Sequence, residues 1–346
     1  MIKVFDFFSG CGGTSCGFEQ AGLDIVLGLD IDKDAANTYK SNFPNASFIE
    51  ADIRTLESSV LSPWLTERNS PILFCGCAPC QPFSIQNRLR GEIDDRRNLL
   101  TEFGRFIKDW LPDYVFIENV PGMQRVKGRK GPLPAFKTLL KKLGYSFDIK
   151  VLPALWFGVP QTRERLVLLA TRSGVISLPE ATHGLGKLPI TTVKDWIGGL
   201  KPLAAGSTDI EDPSHRAADL SELNLARIVA TPEGGGREHW PDDLVLDCHR
   251  SHKGHTDVYG RLSWNKPASG LTTRCTSYSN GRFGHPDQNR AISVREAACL
   301  QTFPKDFVFS GSFASKARQV GNAVPPLMAR CIGAAILKHS DVVEGK

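Results

Sequence analysis

Short apolar runs recur along the first half of the chain. Ile2–Phe7, Asp24–Leu29, Ala46–Ile49, Ile72–Cys77, Tyr114–Ile117 and Arg165–Ala170 read as strands. Between them, Thr14–Ala21 is stopped by Gly22, Lys33–Asn42 carries a polar face, and Leu99–Trp110 links two strands; these predict helices. Strand and helix in alternation predict an α/β fold with a doubly wound, mostly parallel sheet. From about Ser173 to Arg290 the periodicity weakens. Glycine, proline, histidine and serine increase there, in runs such as ATHGLGKLP and TPEGGGREHWPDD. Helical patterns return at Val294–Leu300 and Pro326–Leu337. The expected organisation is one domain of residues 1–178 with 316–346, and a smaller irregular domain over 179–315.

Composition adds limits. With 346 residues, 41% of them hydrophobic and 23% charged, the chain has material for a large core and two domains. The N-terminus resembles no signal peptide, and no apolar run is expected to cross a bilayer, which predicts a soluble protein. Nine irregularly spaced cysteines argue against a disulfide framework and suit a reducing cytoplasm. A net charge of +5 is compatible with a polyanionic partner. Residues 125–142 hold seven lysines and arginines and no acid, which fits a solvated helix face and phosphate contact equally well.

In open α/β sheets ligands bind beyond the carboxyl ends of the strands. The residues that follow the predicted strands are Asp6–Phe18 (DFFSGCGGTSCGF), Asp30 and Asp32, Asp52, Ala78-Pro79-Cys80, and Glu118-Asn119. Gly10, Gly12 and Gly13 permit a tight turn close to a ligand, but their spacing is neither GxGxxG nor that of a P-loop. Asp30 is placed to accept from both hydroxyls of a ribose. Asp52 is placed to accept from an adenine amino group. Each acid, and Asp32 above all, also suits a plain helix cap.

Six strings in order then carry a resemblance: DFFSGCGGTSCGF, Pro79–Ser84 (PCQPFS), Glu118–Val120 (ENV), Gln161–Arg165 (QTRER), Arg295–Pro304 (REAACLQTFP) and Gln319–Pro325 (QVGNAVP). Together they resemble the motif set of cytosine carbon-5 DNA methyltransferases of the bacterial or phage, restriction–modification type. The resemblance spans residues 4–337 except for a divergent stretch at about 175–260. Two departures are Gly76-Cys77-Ala78, where the family often has a bulkier residue or a second proline, and Asp30, where glutamate is also common.

The resemblance implies a Rossmann-like methyltransferase sheet and S-adenosylmethionine as cofactor. It implies cofactor contacts from Phe8, Gly10, Gly12, Asp30, Ile31, Asp52, Ile53, Pro79, Leu99, Asn322 and Val324. Cytosine carbon 5 is a poor nucleophile, so a thiolate must first add at carbon 6, and Cys80 is the implied nucleophile. Glu118 would protonate or hydrogen-bond ring N3, which requires its pKa to rise through partial burial. Asn119 is expected to orient nearby backbone. Arg163 and Arg165 alternate along a strand-like segment and are expected on one face, facing the cytosine O2 and a phosphate, or else paired with surface acids. The resemblance favours Arg165 on the base. No residue stands out as the base that removes the carbon-5 proton.

A base within a duplex is out of reach, so it must be flipped out. Ser84–Arg97 would then close over it as a mobile loop, with Ser84, Gln86, Arg88 and Arg97 on DNA and Gln86 filling the vacated space; a solvated connector is the alternative. Arg216, Arg227, Arg237, His239, Arg250, His252, Lys253, His255, Arg261, Arg274 and Arg282 are candidates for reading bases. The implied partner is double-stranded DNA, alongside a cognate restriction endonuclease acting on the same site without contact, for a monomer in the cytoplasm of a bacterial or phage-infected cell. Two rivals remain. A tRNA cytosine methyltransferase shares the architecture but usually carries a Cys-Phe-Thr tripeptide, which is absent here. A non-catalytic DNA- or metal-binding module would draw on Cys75, Cys77 and Cys80, whose first two are expected to point away from the loop or into the core from a buried strand, or on Cys248, His249, His252 and His255, which have no second ligand pair at the usual spacing, so no metal is expected.

Overall fold

The structure is a computed structural model that describes residues 1–78, 99–124, 132–250 and 256–345. The chain divides into two compact units. The first comprises Met1–Pro153, Glu164–Glu180 and Pro326–Lys346; the second comprises Ala154–Arg163 and Ala181–Pro325.

The first unit opens with β1 (Lys3–Phe7), α1 (Gly13–Ala21), β2 (Asp24–Asp30), α2 (Lys33–Asn42), β3 (Ser47–Glu50), a short α3 (Ser62–Leu65) and β4 (Ile72–Gly76). It continues with α4 (Leu99–Trp110), β5 (Tyr114–Asn119), α5 (Pro132–Lys142) and β6 (Ser146–Pro153). The chain passes through β7 (Gln161–Thr162) of the second unit and returns in β8 (Glu164–Thr171). The seven strands lie in the order β3-β2-β1-β4-β5-β8-β6. The β1–β2, β2–β3, β1–β4 and β4–β5 pairs are parallel, and β8 runs antiparallel to both its neighbours. The expected doubly wound, mostly parallel sheet is present. β6 is an addition to the expected strands, although Phe147-Asp148-Ile149-Lys150-Val151 alternates apolar and polar residues as a half-buried strand does.

The elements form for local reasons. Gly22 caps α1 in the left-handed conformation, its N–H reaching the carbonyls of Glu19 and Phe18. The Asp32 side chain caps α2 by accepting from the N–H groups of Asp34 and Ala35, so the helix-cap alternative holds at that position. On one face of β1, Phe5 and Phe7 pack at a tilt on Phe74, and Phe7 also meets Phe103 and Phe106 of α4 edge-on. This aromatic cluster forms the centre of the core.

On the other side, α1 packs against the last helix, α11 (Pro326–Val343). A Cβ at Gly17 would lie 2.2 Å from the Pro326 carbonyl, so only glycine permits this approach. One window within Phe313–Val343 has a mean hydropathy of 1.4 and is apolar enough for a membrane span, more than the sequence led us to expect. Most of it is buried within the protein, as the apolar face of a core helix is.

The second unit holds α6 (Val193–Ile197), α7 (Glu222–Val229), α8 (Asp247–Arg250), β9 (Ala268–Ser269), α9 (Val294–Leu300) and α10 (Phe313–Asn322). Beyond the parallel β7–β9 pair, it is largely turns tied by buried side chains, as its glycine- and proline-rich sequence predicts. Arg290 is wholly buried, and both its terminal nitrogens lie 2.7 Å from the Glu296 carboxylate. Glu296 and Ser293 in turn form the capping box of α9. Gln161, within Ala154–Arg163, donates to the Leu300 carbonyl and accepts from the Leu271 N–H, so the second unit begins earlier in the chain than residue 179.

Candidate active site

Strand order reverses at β1: β2 and β3 lie to one side, β4 and β5 to the other. The carboxyl ends of β1 and β4 flank that switch point, where open α/β sheets bind ligands. The loop leaving β1 is left-handed at Phe8 (φ 57°), Gly10 (φ 53°) and Gly12 (φ 94°). Its backbone is tied to β2 by Ser9 N–H to the Leu29 carbonyl (3.0 Å) and Gly10 N–H to Asp30 Oδ2 (2.8 Å). The two glycines differ in their surroundings. A Cβ on Gly10 meets nothing within 4 Å, whereas one on Gly12 would lie 2.4 Å from the Phe43 ring. Gly10 therefore lines open space, and Gly12 is packed from below.

Asp30 also accepts from Asp32 N–H (2.9 Å) through its second oxygen, so both carboxylate oxygens are held in place. Burial raises its pKa above the usual carboxylate value. Ile31 beside it is 65% exposed, an apolar side chain left uncovered at the ligand edge. Asp52 differs. It caps a turn at Ile53–Thr55 and forms an ion pair with Arg54 (2.5 Å), which lowers its pKa. The plain-cap alternative describes this acid. Ile53 and Leu99 lie in the buried core of the unit.

At the β4–β5 side, Glu118 is buried at the end of β5, and its Oε1 sits 2.5 Å from Arg165 Nε at the start of β8. The antiparallel pairing of β5 with β8 brings the two together. Asn119 donates to the Ala78 carbonyl (3.0 Å) and accepts from Val120 N–H (2.9 Å), the backbone-orienting task expected of it. Cys77, in the same exit from β4, contacts Thr14 of α1 (Sγ to Oγ1, 3.5 Å). Pro79, Cys80, Ser84, Gln86, Arg88 and Arg97 lie outside the described residues, as do His252, Lys253 and His255.

Arg163 and Arg165 do not share one continuous strand: β7 ends at Thr162, β8 begins at Glu164, and the two arginines fall in different units. Arg163 is buried, and its guanidinium donates to the carbonyls of Leu271, Gly321 and Ala323 at 3.0, 3.1 and 3.3 Å. Asn322 ends α10, and Val324 is buried in the second unit. Among the proposed base readers, Arg261 is buried with its nitrogens on the carbonyls of Ile228, Thr231, His285 and Gln288, and Arg227 is buried over Trp240. Both hold the second unit together. Arg216, Arg250 and Arg274 are exposed.

The sequence passed over Asp6. It is 1% exposed, accepts from Ser15 Oγ (2.7 Å), and its Oδ1 has no hydrogen-bond partner among the described residues. An acid inside the apolar run Val4–Phe7 was the available signal.

A family model described as C-5 cytosine-specific DNA methylase matches residues 2–338. The type II methylase M.HgiDII of Herpetosiphon aurantiacus is 39% identical over 339 residues, covering 96% of this chain and 94% of that protein. The type II methyltransferase M1.HphI of Haemophilus parahaemolyticus is 36% identical, over 97% and 87% of the two chains. A crystal structure from Escherichia coli, titled as a prophage-encoded DNA modification methyltransferase, aligns over 98% of this chain and 99% of its own with a TM-score of 0.77. At 24% identity it supports the fold alone.

Proposed function

The chain belongs to the C-5 cytosine-specific DNA methylase family and is a DNA cytosine-5-methyltransferase, and from that premise we propose how its residues divide the work. S-adenosylmethionine supplies the methyl group, and the β1–β2 edge suits it. Asp30 offers lone pairs to ribose hydroxyls, Gly10 leaves open space, and Ile31 offers an apolar contact. Phe8 and Gly12 shape that loop from within. Pro79, Asn322 and Val324 remain part of the proposed contact set on the strength of the family resemblance.

Cys80 is the proposed nucleophile, adding to carbon 6 of a cytosine flipped out of the duplex, so that carbon 5 gains electron density and takes the methyl group. One observation carries this proposal. Asn119 ties the Ala78 carbonyl to the end of β5, two residues before Cys80 in the chain and one residue after Glu118. The thiol's segment thus starts beside the acid proposed to act on ring N3. Arg165, paired with Glu118, orients that carboxyl and presents a guanidinium toward the base oxygen. Ser84, Gln86, Arg88 and Arg97 would contact DNA. The type II names of the relatives support a duplex DNA target, with a restriction endonuclease acting on the same sequence, in a bacterial or phage-infected cytoplasm.

The test is Cys80→Ser, assayed with a labelled methyl donor on duplex DNA and on tRNA. Methylation should vanish on DNA while binding of S-adenosylmethionine persists, and the wild type should form a stable adduct with 5-fluorocytosine DNA. Retained turnover in the variant refutes the nucleophile, and transfer to tRNA alone refutes the substrate.

A further inference from the structure

We propose that Asp6 is a positioning residue for the cofactor loop: through Ser15 and Tyr39 its carboxylate sets the first turn of α1 beneath Gly10 and Gly12, and its ionisation tightens the hold on S-adenosylmethionine. This rests on the proposal that the loop binds that cofactor.

The N-terminus of α1 lacks the usual acceptors. Its cap is Gly12, which has no side chain, and its first turn contains no acid. Asp6 supplies the acceptor from β1. Ser15, third in the helix, gives it both its hydroxyl, at 2.7 Å, and its backbone N–H. Ser15 Oγ is also 2.9 Å from the Tyr39 hydroxyl. The Tyr39 ring lies where Cβ atoms on Gly12 and Gly28 would stand, 3.1 and 2.6 Å away. One chain of contacts thus runs from β1 through α1 to α2, directly under the loop.

Among the described residues, the groups that face this array are Asp30 from β2, Cys75 from β4, Cys77 just beyond it, and Tyr39 itself, with Glu19 reaching Tyr39 and Glu118 reaching Cys77. None is a cation. Burial therefore pushes the Asp6 carboxyl up to about 7, so it changes charge within the working range. Below that pH it is a neutral acid; above it the carboxylate accepts charge-assisted hydrogen bonds, which are stronger than neutral ones. Cofactor affinity should rise as pH passes upward through 7, and by linkage binding near pH 7 should release a fraction of a proton.

Titration calorimetry of the full chain with S-adenosylmethionine tests this, at pH 6 and 8 and in two pH 7 buffers of different protonation enthalpy. Wild type should bind about fivefold tighter at pH 8, equivalent to about 1 kcal/mol. Asp6→Asn should lose that step and the buffer-dependent heat, and Tyr39→Phe should keep the step with weaker affinity at both pH values. A flat wild-type profile overturns the proposal. So does a step that survives in Asp6→Asn, which would place its source in another group. If Asp6→Asn does not fold, Ser15→Ala must shrink the step, and an unchanged step is equally fatal. A wild type that binds no S-adenosylmethionine at either pH refutes the cofactor assignment instead.

Discussion

Replacing Arg163 by methionine separates a catalytic arginine from a structural one. The guanidinium donates to three carbonyls inside the second unit. Of these, Ala323 keeps a partner in the Gln301 amide, 2.5 Å away, whereas the Leu271 and Gly321 carbonyls lose their Arg163 donor. A buried carbonyl left unpaired costs about 1–3 kcal/mol, and removing a buried charge returns part of that, so a net loss of about 2–4 kcal/mol is expected. For a unit of this size that lowers Tm by roughly 4–16 °C. Differential scanning calorimetry reads the stability, and labelled-methyl transfer at a temperature where the variant is folded reads the chemistry. The expected outcome is a lower Tm with methyl transfer retained in the folded fraction. An unchanged Tm with abolished transfer would show that Arg163 acts on the substrate and that the carbonyl clamp is incidental.

Three further variants probe the rest of the molecule. Gly12→Ala forces a methyl group to 2.4 Å from the Phe43 ring at φ 94° and should cost about 2–4 kcal/mol of stability by calorimetry, whereas Gly10→Ala, facing open space at φ 53°, should cost only about 1–2 kcal/mol yet weaken cofactor binding; equal losses of stability would contradict the packing described. Asp30→Ala should weaken binding of S-adenosylmethionine far more than binding of DNA, read by calorimetry and gel shift, and a parallel loss of both would point to general unfolding. His285 is buried, its Nδ1 accepts from the Asp287 and Gln288 N–H groups, and burial pushes its pKa down to about 4. The unfolded chain then binds a proton that the folded one refuses, so stability should fall as pH drops from about 6.5 toward 4. His285→Gln should flatten that part of the Tm–pH curve, and a curve of unchanged slope would exclude His285 as its source.

Much of the first unit could be read directly from the chain. Lys33–Asn42, Leu99–Trp110 and Val294–Leu300 form where they were expected, because apolar spacing and, at Asp32 and Ser293, the cap residue are local signals. Glu118 and Asn119 were expected just beyond the strand Tyr114–Ile117, whereas they are its last two residues and buried, because β5 runs on to Asn119 in its pairing with β8. The direction of β8 and the fate of each arginine could not be read from the chain. A guanidinium that reads a base and one that clamps three carbonyls share the same local sequence.

The order of apolar runs and the strings around Gly10, Cys80, Glu118 and Gln319 determined by themselves the sheet class and the family, because backbone periodicity and short motifs are properties of short segments. Only the tertiary structure decided that Arg163 and Arg261 are interior struts, that Asp52 is taken up by Arg54, and that Asp6 caps a helix from a neighbouring strand. Those outcomes depend on which distant donors and acceptors folding brings within about 3 Å, and hydrogen-bond energy is decided by that distance rather than by position along the chain.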